Sequence, residues 1–260
     1  MKYFLLWVSI IVLFTNCKSN NNSPNETPDS LSKYSYPLIL FGDSTGHATG
    51  FFIKNKKRIF LVSNYHVFTG QNTIKKIKTT SNYKTLNFSY TIKKNLKKLC
   101  TINLVDIAYN SNSYYFYEHP DIYCYDVTDK LKDGFVNSIE KFMTPLRSKN
   151  EASIDMFAIG YTFKNETFIE EIVHFKPIYT IYDTIQMSSG PPDNKIVTLK
   201  NSYYLGNQSI GGMSGAPVFY QYSNGIMFGG VISSHFKSSN TTLIVKPIEV
   251  LKTIDSLQKR

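Results

Sequence analysis

This chain of 260 residues is poor in the features that define several large protein classes. It has 3 cysteines, at positions 17, 100 and 124. No Cys/His cluster has metal-binding spacing, so a structural zinc site is not expected. No internal repeat is present, and no apolar run reaches the ~20 residues that span a bilayer. Charged residues are only 18% of the total, which argues against a disordered polyelectrolyte. Acids are the scarcer sign: 19 Asp and Glu against 29 Lys and Arg leave a net charge of +10. The lysines cluster at Lys75-Lys76-Ile77-Lys78 and Lys93-Lys94-Asn95-Leu96-Lys97-Lys98. No aromatic–basic RNA motif or groove-reading helix accompanies them, so they read as solvated surface and no nucleic-acid partner is expected.

What is abundant is aromatic: 19 Tyr and 18 Phe suit a packed, β-rich globule. From Tyr36 onward short apolar–polar runs alternate with turn residues, as at Tyr36 to Phe41, Gly50 to Ile53, Ile59 to Ser63, Ile122 to Val127, Met156 to Tyr161 and Ile196 to Leu199. That pattern predicts an all-β barrel or sandwich. Ser223-Asn224-Gly225 reads as the turn of a hairpin. Pro247, Val250, Leu251, Ile254 and Leu257 are spaced for one terminal amphipathic helix.

The N-terminus reads as a targeting segment. Lys2 gives a positive start and Tyr3 to Phe14 is apolar except for Ser9, which suits a secretory signal core. Phe14-Thr15-Asn16-Cys17 resembles a bacterial lipoprotein box, with Asn16 larger than the small residue usual there. The resemblance implies that Cys17 carries a lipid. Lys18 to Ser35 is too polar to fold and reads as a flexible tether, with the domain proper at 36–260. The expected location is exported and membrane-anchored, facing the periplasm or the cell surface. Cys100 and Cys124 could then form a disulfide or stay as buried thiols.

The chemistry concentrates in Gly211-Gly212-Met213-Ser214-Gly215-Ala216-Pro217-Val218-Phe219. Small residues crowd a serine there, and such a bend can expose its hydroxyl and aim amide N–H groups at one point. A serine needs a base. Phe60-Leu61-Val62-Ser63-Asn64-Tyr65-His66-Val67 offers one at the end of an apolar strand, and His119-Pro120-Asp121-Ile122 offers a carboxylate that opens another strand. The order His66, Asp121, Ser214 is that of the chymotrypsin-type triad. An α/β-hydrolase would need serine, acid, histidine, but the only histidine after Ser214 is His235, with no acid between them. A subtilisin-like order could begin at Asp43, but the residues around His66 and Ser214 do not fit that family.

Together with Thr49-Gly50-Phe51-Phe52-Ile53 and Ile159-Gly160-Tyr161, these segments resemble the bacterial trypsin-like serine peptidases over residues 38–250. The resemblance implies two six-stranded-type β-barrels of the chymotrypsin fold with a C-terminal helix, and endopeptidase activity on protein or peptide substrates with no cofactor and no metal. It implies His66 as base, Asp121 as orienting acid, Ser214 as nucleophile and the N–H groups of Gly212 and Ser214 as oxyanion hole. Gln208 would lie near the base of the specificity pocket, with Val231-Ile232-Ser233-Ser234-His235 as one wall. Asp106 in Leu104-Val105-Asp106-Ile107-Ala108 rivals Asp121, while Asp126 and Asp155 are weaker rivals. His47, His119, His174 and His235 lack a base motif. Met213 stands where animal trypsins carry the aspartate that pairs with a newly cut N-terminus, so no such activation is expected, and Ala216 replaces a glycine. The competing expectation is a catalytically silent lipoprotein of the same fold that binds a partner.

Overall fold

The computed structural model describes residues 27–74, 77–78, 82–92, 95–110, 120–132, 134–143, 156–180, 185–188, 196–199, 203–207, 212–222, 225–236 and 239–258. The signal core, Cys17 and residues 18–26 of the expected tether therefore lie outside the described residues.

Two antiparallel sheets carry the fold. The first runs in the order β7 (Lys97–Asn103), β6 (Tyr83–Ile92), β1 (Ser35–Gly42), β2 (Thr45–Asn55), β3 (Arg58–Ser63), β8 (Tyr123–Asp126), with β9 (Gly134–Phe135) also paired to β6. The second runs β11 (Thr167–Phe175), β10 (Met156–Lys164), β16 (Pro217–Tyr222), β17 (Gly225–Phe236), β18 (Thr241–Val245), β15 (Tyr203–Gly206), β12 (Pro177–Thr180). Two small ladders complete the described strands: β4 (Gln71–Asn72) with β5 (Ile77–Lys78), and β13 (Ile185–Ser188) with β14 (Ile196–Leu199).

Successive side chains of a strand point to opposite faces, and this sorts the apolar residues into layers. In β2, Phe51 and Ile53 enter a central cluster while Ala48 and Phe52 enter a core inside the first sheet. Phe60 and Val62 of β3 face the centre, and Leu61 faces the first-sheet core. The second sheet mirrors this arrangement. Phe157, Ile159, Phe219, Val231, Leu243 and Val245 face the centre, whereas Met156, Ala158, Val218, Ile232 and Ile244 fill a core of their own. Strands buried on both faces need continuous apolar runs, which explains why Phe51-Phe52-Ile53 and Phe60-Leu61-Val62 do not alternate with polar residues.

The terminal helix α3 (Pro247–Gln258) caps the central cluster with Val250 and Ile254, with Leu257 packed beside them, as its spacing predicts. The hairpin expected at 223–225 is present as the β16–β17 pairing. The fold begins earlier than the expected boundary at Tyr36. Pro28–Tyr34 forms a 3-10 turn that buries Leu31 and Tyr34 in the central cluster, so the folded domain starts before Tyr36. Two isolated apolar residues in a polar stretch give no periodic signal, and their burial depends on a groove built by distant strands.

Cys100 and Cys124 are free and buried. They lie on β7 and β8, at opposite ends of the first sheet's strand order. Burial pushes the Cys124 thiol above its ordinary range.

Candidate active site

The strand carrying the histidine motif ends at Ser63, and His66 lies on a short helix, α1 (Tyr65–Thr69), rather than at the end of the strand. Gly70, in the left-handed conformation, stops that helix, and its N–H donates to the His66 carbonyl at 2.9 Å. Asp121 sits at the apex of a three-residue turn that the Ile122 N–H closes onto the Pro120 carbonyl at 2.7 Å. It precedes β8, which pairs with β3, so strand pairing brings the turn alongside α1.

The pairing of these two residues is close. Asp121 Oδ2 lies 2.7 Å from His66 Nδ1, and Asp121 Oδ1 accepts from the His66 backbone N–H at 3.0 Å. Ser233 Oγ donates to the same Oδ2 at 2.8 Å. Asn64 Nδ2 donates to the Asp121 carbonyl at 2.9 Å, which fixes the turn itself. Asp121 is wholly buried, whereas the His66 side chain is 21% exposed. A buried carboxylate is tolerated when donors converge on it, and this one has them. With Nδ1 turned to the carboxylate, the imidazole is oriented and Nε2 is its remaining polar atom.

Ser214 lies in the turn before β16 and is half-buried. Backbone contacts hold it. Its carbonyl accepts from the Thr49 N–H at 2.9 Å, the Gly215 N–H donates to the Ile232 carbonyl at 2.9 Å, and the Ala216 N–H donates to the Met213 carbonyl at 2.9 Å. Peptides are planar and trans, so turning the Met213 carbonyl toward Ala216 turns the Ser214 N–H the opposite way. Gly215 has φ +84, and a Cβ there would lie 2.1 Å from both Ser63 Oγ and the Thr49 carbonyl oxygen. Only glycine fits. Gly212, also at φ +84, is exposed.

Thr49 and Ser63 link the two halves of the site. Ser63 Oγ donates to the Thr49 carbonyl at 2.7 Å, and Thr49 Oγ1 accepts from the Tyr161 N–H at 2.9 Å. Ser63 stands three residues before His66. Ile232, which holds the Ser214 turn, is followed by Ser233, which holds Asp121. The described contacts thus gather His66, Asp121, Ser233 and the backbone of Ser214 at one end of the seam between the sheets.

The other candidates separate from this set. Asp106 opens α2 (Val105–Asn110), is exposed and accepts from Asn103 Nδ2 at 3.4 Å, which is a helix-start role. Asp126 binds Arg58 Nε at 2.6 Å. His47 stacks on Phe163 with ring centroids 3.7 Å apart, and His174 lies on β11 near Phe157. Gln208, His119 and Asp155 lie outside the described residues. Ser233 was expected in a pocket wall, but its hydroxyl is bound to Asp121. A register shift between Ile232 and Ser234 accounts for this, because a bulge re-aims the side chain at its centre. His235 pairs with Thr242 in the ladder. Thr49, Ser63 and Asn64 had no recognisable role in the sequence, since a lone polar residue beside an apolar strand carries no signature.

No family model matches the chain, and no curated protein matches it. Solved structures do match. Deg5 is 14% identical with a TM-score of 0.51, over 85% of this chain and 87% of that one. Tobacco etch virus protease complexed with product is 12% identical with a TM-score of 0.47, over 88% and 81%. A thermostable serine protease from an extremophilic microorganism is 10% identical with a TM-score of 0.45, over 87% and 96%. The last two superpose too loosely to argue from. The first, at its low identity, speaks to the fold alone. That fold, two curled antiparallel sheets followed by a terminal helix, is the chymotrypsin fold.

Proposed function

We propose that the chain is a serine endopeptidase in which Ser214 is the nucleophile, His66 the general base and Asp121 the orienting acid. The observation that carries this reading is the doubly bonded His66–Asp121 pair, whose carboxylate is buried while the imidazole edge stays open. Nε2 takes the proton from Ser214 Oγ as that oxygen attacks a peptide carbonyl. The N–H groups of Gly212 and Ser214 stabilise the tetrahedral oxyanion. His66 then gives the proton to the departing amine and leaves an acyl-serine. A water molecule, deprotonated by the same imidazole, attacks the ester, and the imidazolium passes that proton to Ser214 Oγ as the acid product leaves. Asp121 stays ionised throughout and supports the imidazolium.

Fluorophosphonate labelling of the purified chain tests the assignment. Covalent capture is expected in the wild type and is expected to vanish in Ser214→Ala. Capture that persists in Ser214→Ala, or a folded wild type that is never captured, would overturn it. Cleavage of a randomised peptide library then gives the side-chain preference, with Val231 to His235 as the proposed pocket wall and Gln208 near its base.

We also read residues 1–17 as an export signal, with Cys17 as the lipid-bearing residue. Metabolic incorporation of palmitate that is lost in Cys17→Ser is the expected result, whereas labelling unchanged by that substitution would refute it.

A further inference from the structure

Three large apolar side chains are exposed around one end of the β6 strand: Leu96 at 59%, Leu99 at 57% and Phe135 at 54%. Strand pairing gathers them. β6 pairs with β7 on one side and with β9 on the other, so Thr91 lies between Lys97 and Phe135, and Ser89 lies opposite Leu99. In β7 the inward positions are taken by the buried Cys100 and Ile102. Alternation then puts Lys97 and Leu99 on the outward face that Thr91 and Phe135 share, with β6 between them and Phe135. Leu96 closes the hairpin, its carbonyl accepting from the Ile92 N–H at 2.8 Å.

Lysines flank this trio on both sides. Lys97 shares the outward face, and Lys98 is exposed at the rim of the hairpin's other face. Two residues past Phe135, the Asn137 side chain donates to the Lys33 carbonyl at 3.1 Å, and its N–H donates to Tyr36 Oη at 2.8 Å. Lys33 and Lys141 both lie over the Tyr34 ring, at 5.2 and 5.1 Å. The acids nearby are already engaged: Glu140 accepts from the Ser138 hydroxyl, and Asp129 pairs with Lys132 at 3.2 Å. Lys33 belongs to the 3-10 turn through which the N-terminal segment joins the fold.

We propose that this flank docks on an anionic lipid surface, with Leu96, Leu99 and Phe135 entering the headgroup–acyl boundary and the lysines meeting the headgroups. Protruding leucines and a phenylalanine ringed by lysines are the composition of an interfacial element. A chain of net charge +10 is complementary to a negative leaflet. Two of the three apolar side chains are leucines, which offer a nucleic acid neither stacking nor base-edge contact, and this disfavours that partner. On the reading proposed above, the segment that joins beside this flank leads back to the lipid-bearing Cys17, which would hold the flank near a bilayer.

Docking would also orient the molecule. The β6–β7 ladder runs from Thr91–Lys97 to Thr85–Asn103, roughly 20 Å at the usual rise per residue. Its far end continues through Leu104 into α2, which packs on α1, the helix bearing His66. The bilayer and the candidate site would thus lie at opposite ends of one hairpin.

The test uses the full chain with vesicles of phosphatidylcholine, with and without phosphatidylglycerol, read by hydrogen exchange and side-chain footprinting. The local readout separates this surface from whatever the N-terminal segment does. Protection of residues 96–99 and 134–136 is expected only with phosphatidylglycerol, and high salt is expected to remove it. Lys97→Glu with Lys98→Glu is expected to weaken that protection at least roughly 30-fold, and Leu99→Ser with Phe135→Ser to abolish it. Three results would overturn the proposal: vesicle binding without protection of the hairpin, equal protection on phosphatidylcholine alone, or protection that appears without vesicles as protein concentration rises. The last would assign the surface to a second copy of the chain.

Discussion

The two halves of the candidate site are held by different means. His66 and Asp121, from the first sheet, are fixed by side chains: one carboxylate engages an imidazole, an amide and a hydroxyl. The Ser214 turn, from the second sheet, is held among the described residues by main-chain hydrogen bonds to Thr49 and Ile232 and by a glycine with no room for a methyl group. A side-chain network can lose one member and keep its shape. A turn wedged by a glycine cannot take an added atom without moving. Chemistry should therefore be the weak point of the first half, and geometry that of the second.

Substitutions can break this contrast, and the largest effect is expected at Asp121. Asp121→Asn keeps the volume but favours the wrong imidazole tautomer, so kcat should fall on the order of 10⁴-fold with little change in the unfolding midpoint. If activity survives, Asp121 is not the orienting acid. Next comes Gly215→Ala, where a methyl would meet the Thr49 carbonyl and Ser63 Oγ. Activity and stability should fall together there, the latter by about 2–4 kcal/mol in denaturant unfolding. Gly212→Ala shares the positive φ, but its nearest contact is Thr162 Cγ2 at 3.4 Å, so only about 1–2 kcal/mol is expected. Equal costs at the two glycines would remove the steric argument.

Smaller effects sharpen the comparison. Ser233→Ala removes one donor from the buried carboxylate and should cost about 1–3 kcal/mol, with a modest loss of kcat and KM unchanged. Asp126, on the strand that follows Asp121, provides a non-catalytic reference. Burial pushes its pKa up, but hydrogen bonds from Thr128 and Arg58, with the Arg58 charge, outweigh this and hold it below the usual carboxylate value. Such a group stabilises the fold above its unfolded pKa of ~3.9, and the contribution is lost as pH falls through the lower folded value. Arg58→Met should therefore narrow the stability difference between neutral pH and pH below ~4 by under about 1 kcal/mol, the pair being partly exposed. Urea titrations at the two pH values would show it.

The sequence made the fold class and the three candidate site residues legible for one reason: each sits in a short segment whose local chemistry is unusual. Glycines around Ser214, an apolar strand leading to His66 and a Pro-Asp turn are all local signals. The choice between Asp121 and Asp106 was not local. Both precede an isoleucine, and only the pairing of β8 with β3 sets one beside His66 and leaves the other at a helix start. Ser233 was legible as a residue of β17 but not in its role, because a bulge redirects it. Leu31 and Tyr34 were hidden in a polar stretch, since what buries them is built by residues more than a hundred positions away. The lysine-rich hairpin read as plain solvated surface because two leucines among lysines mark no patch, and Phe135 joins their face only once β9 is paired to β6.

Thr49 touches three things at once: the Ser214 carbonyl, the Ser63 hydroxyl and the Tyr161 amide of the opposite sheet. Slippage of one sheet past the other would break these contacts and tilt the serine turn with it. Heat or denaturant should therefore silence the hydrolytic centre while both β-sheets are still intact, so loss of turnover would precede loss of circular dichroism.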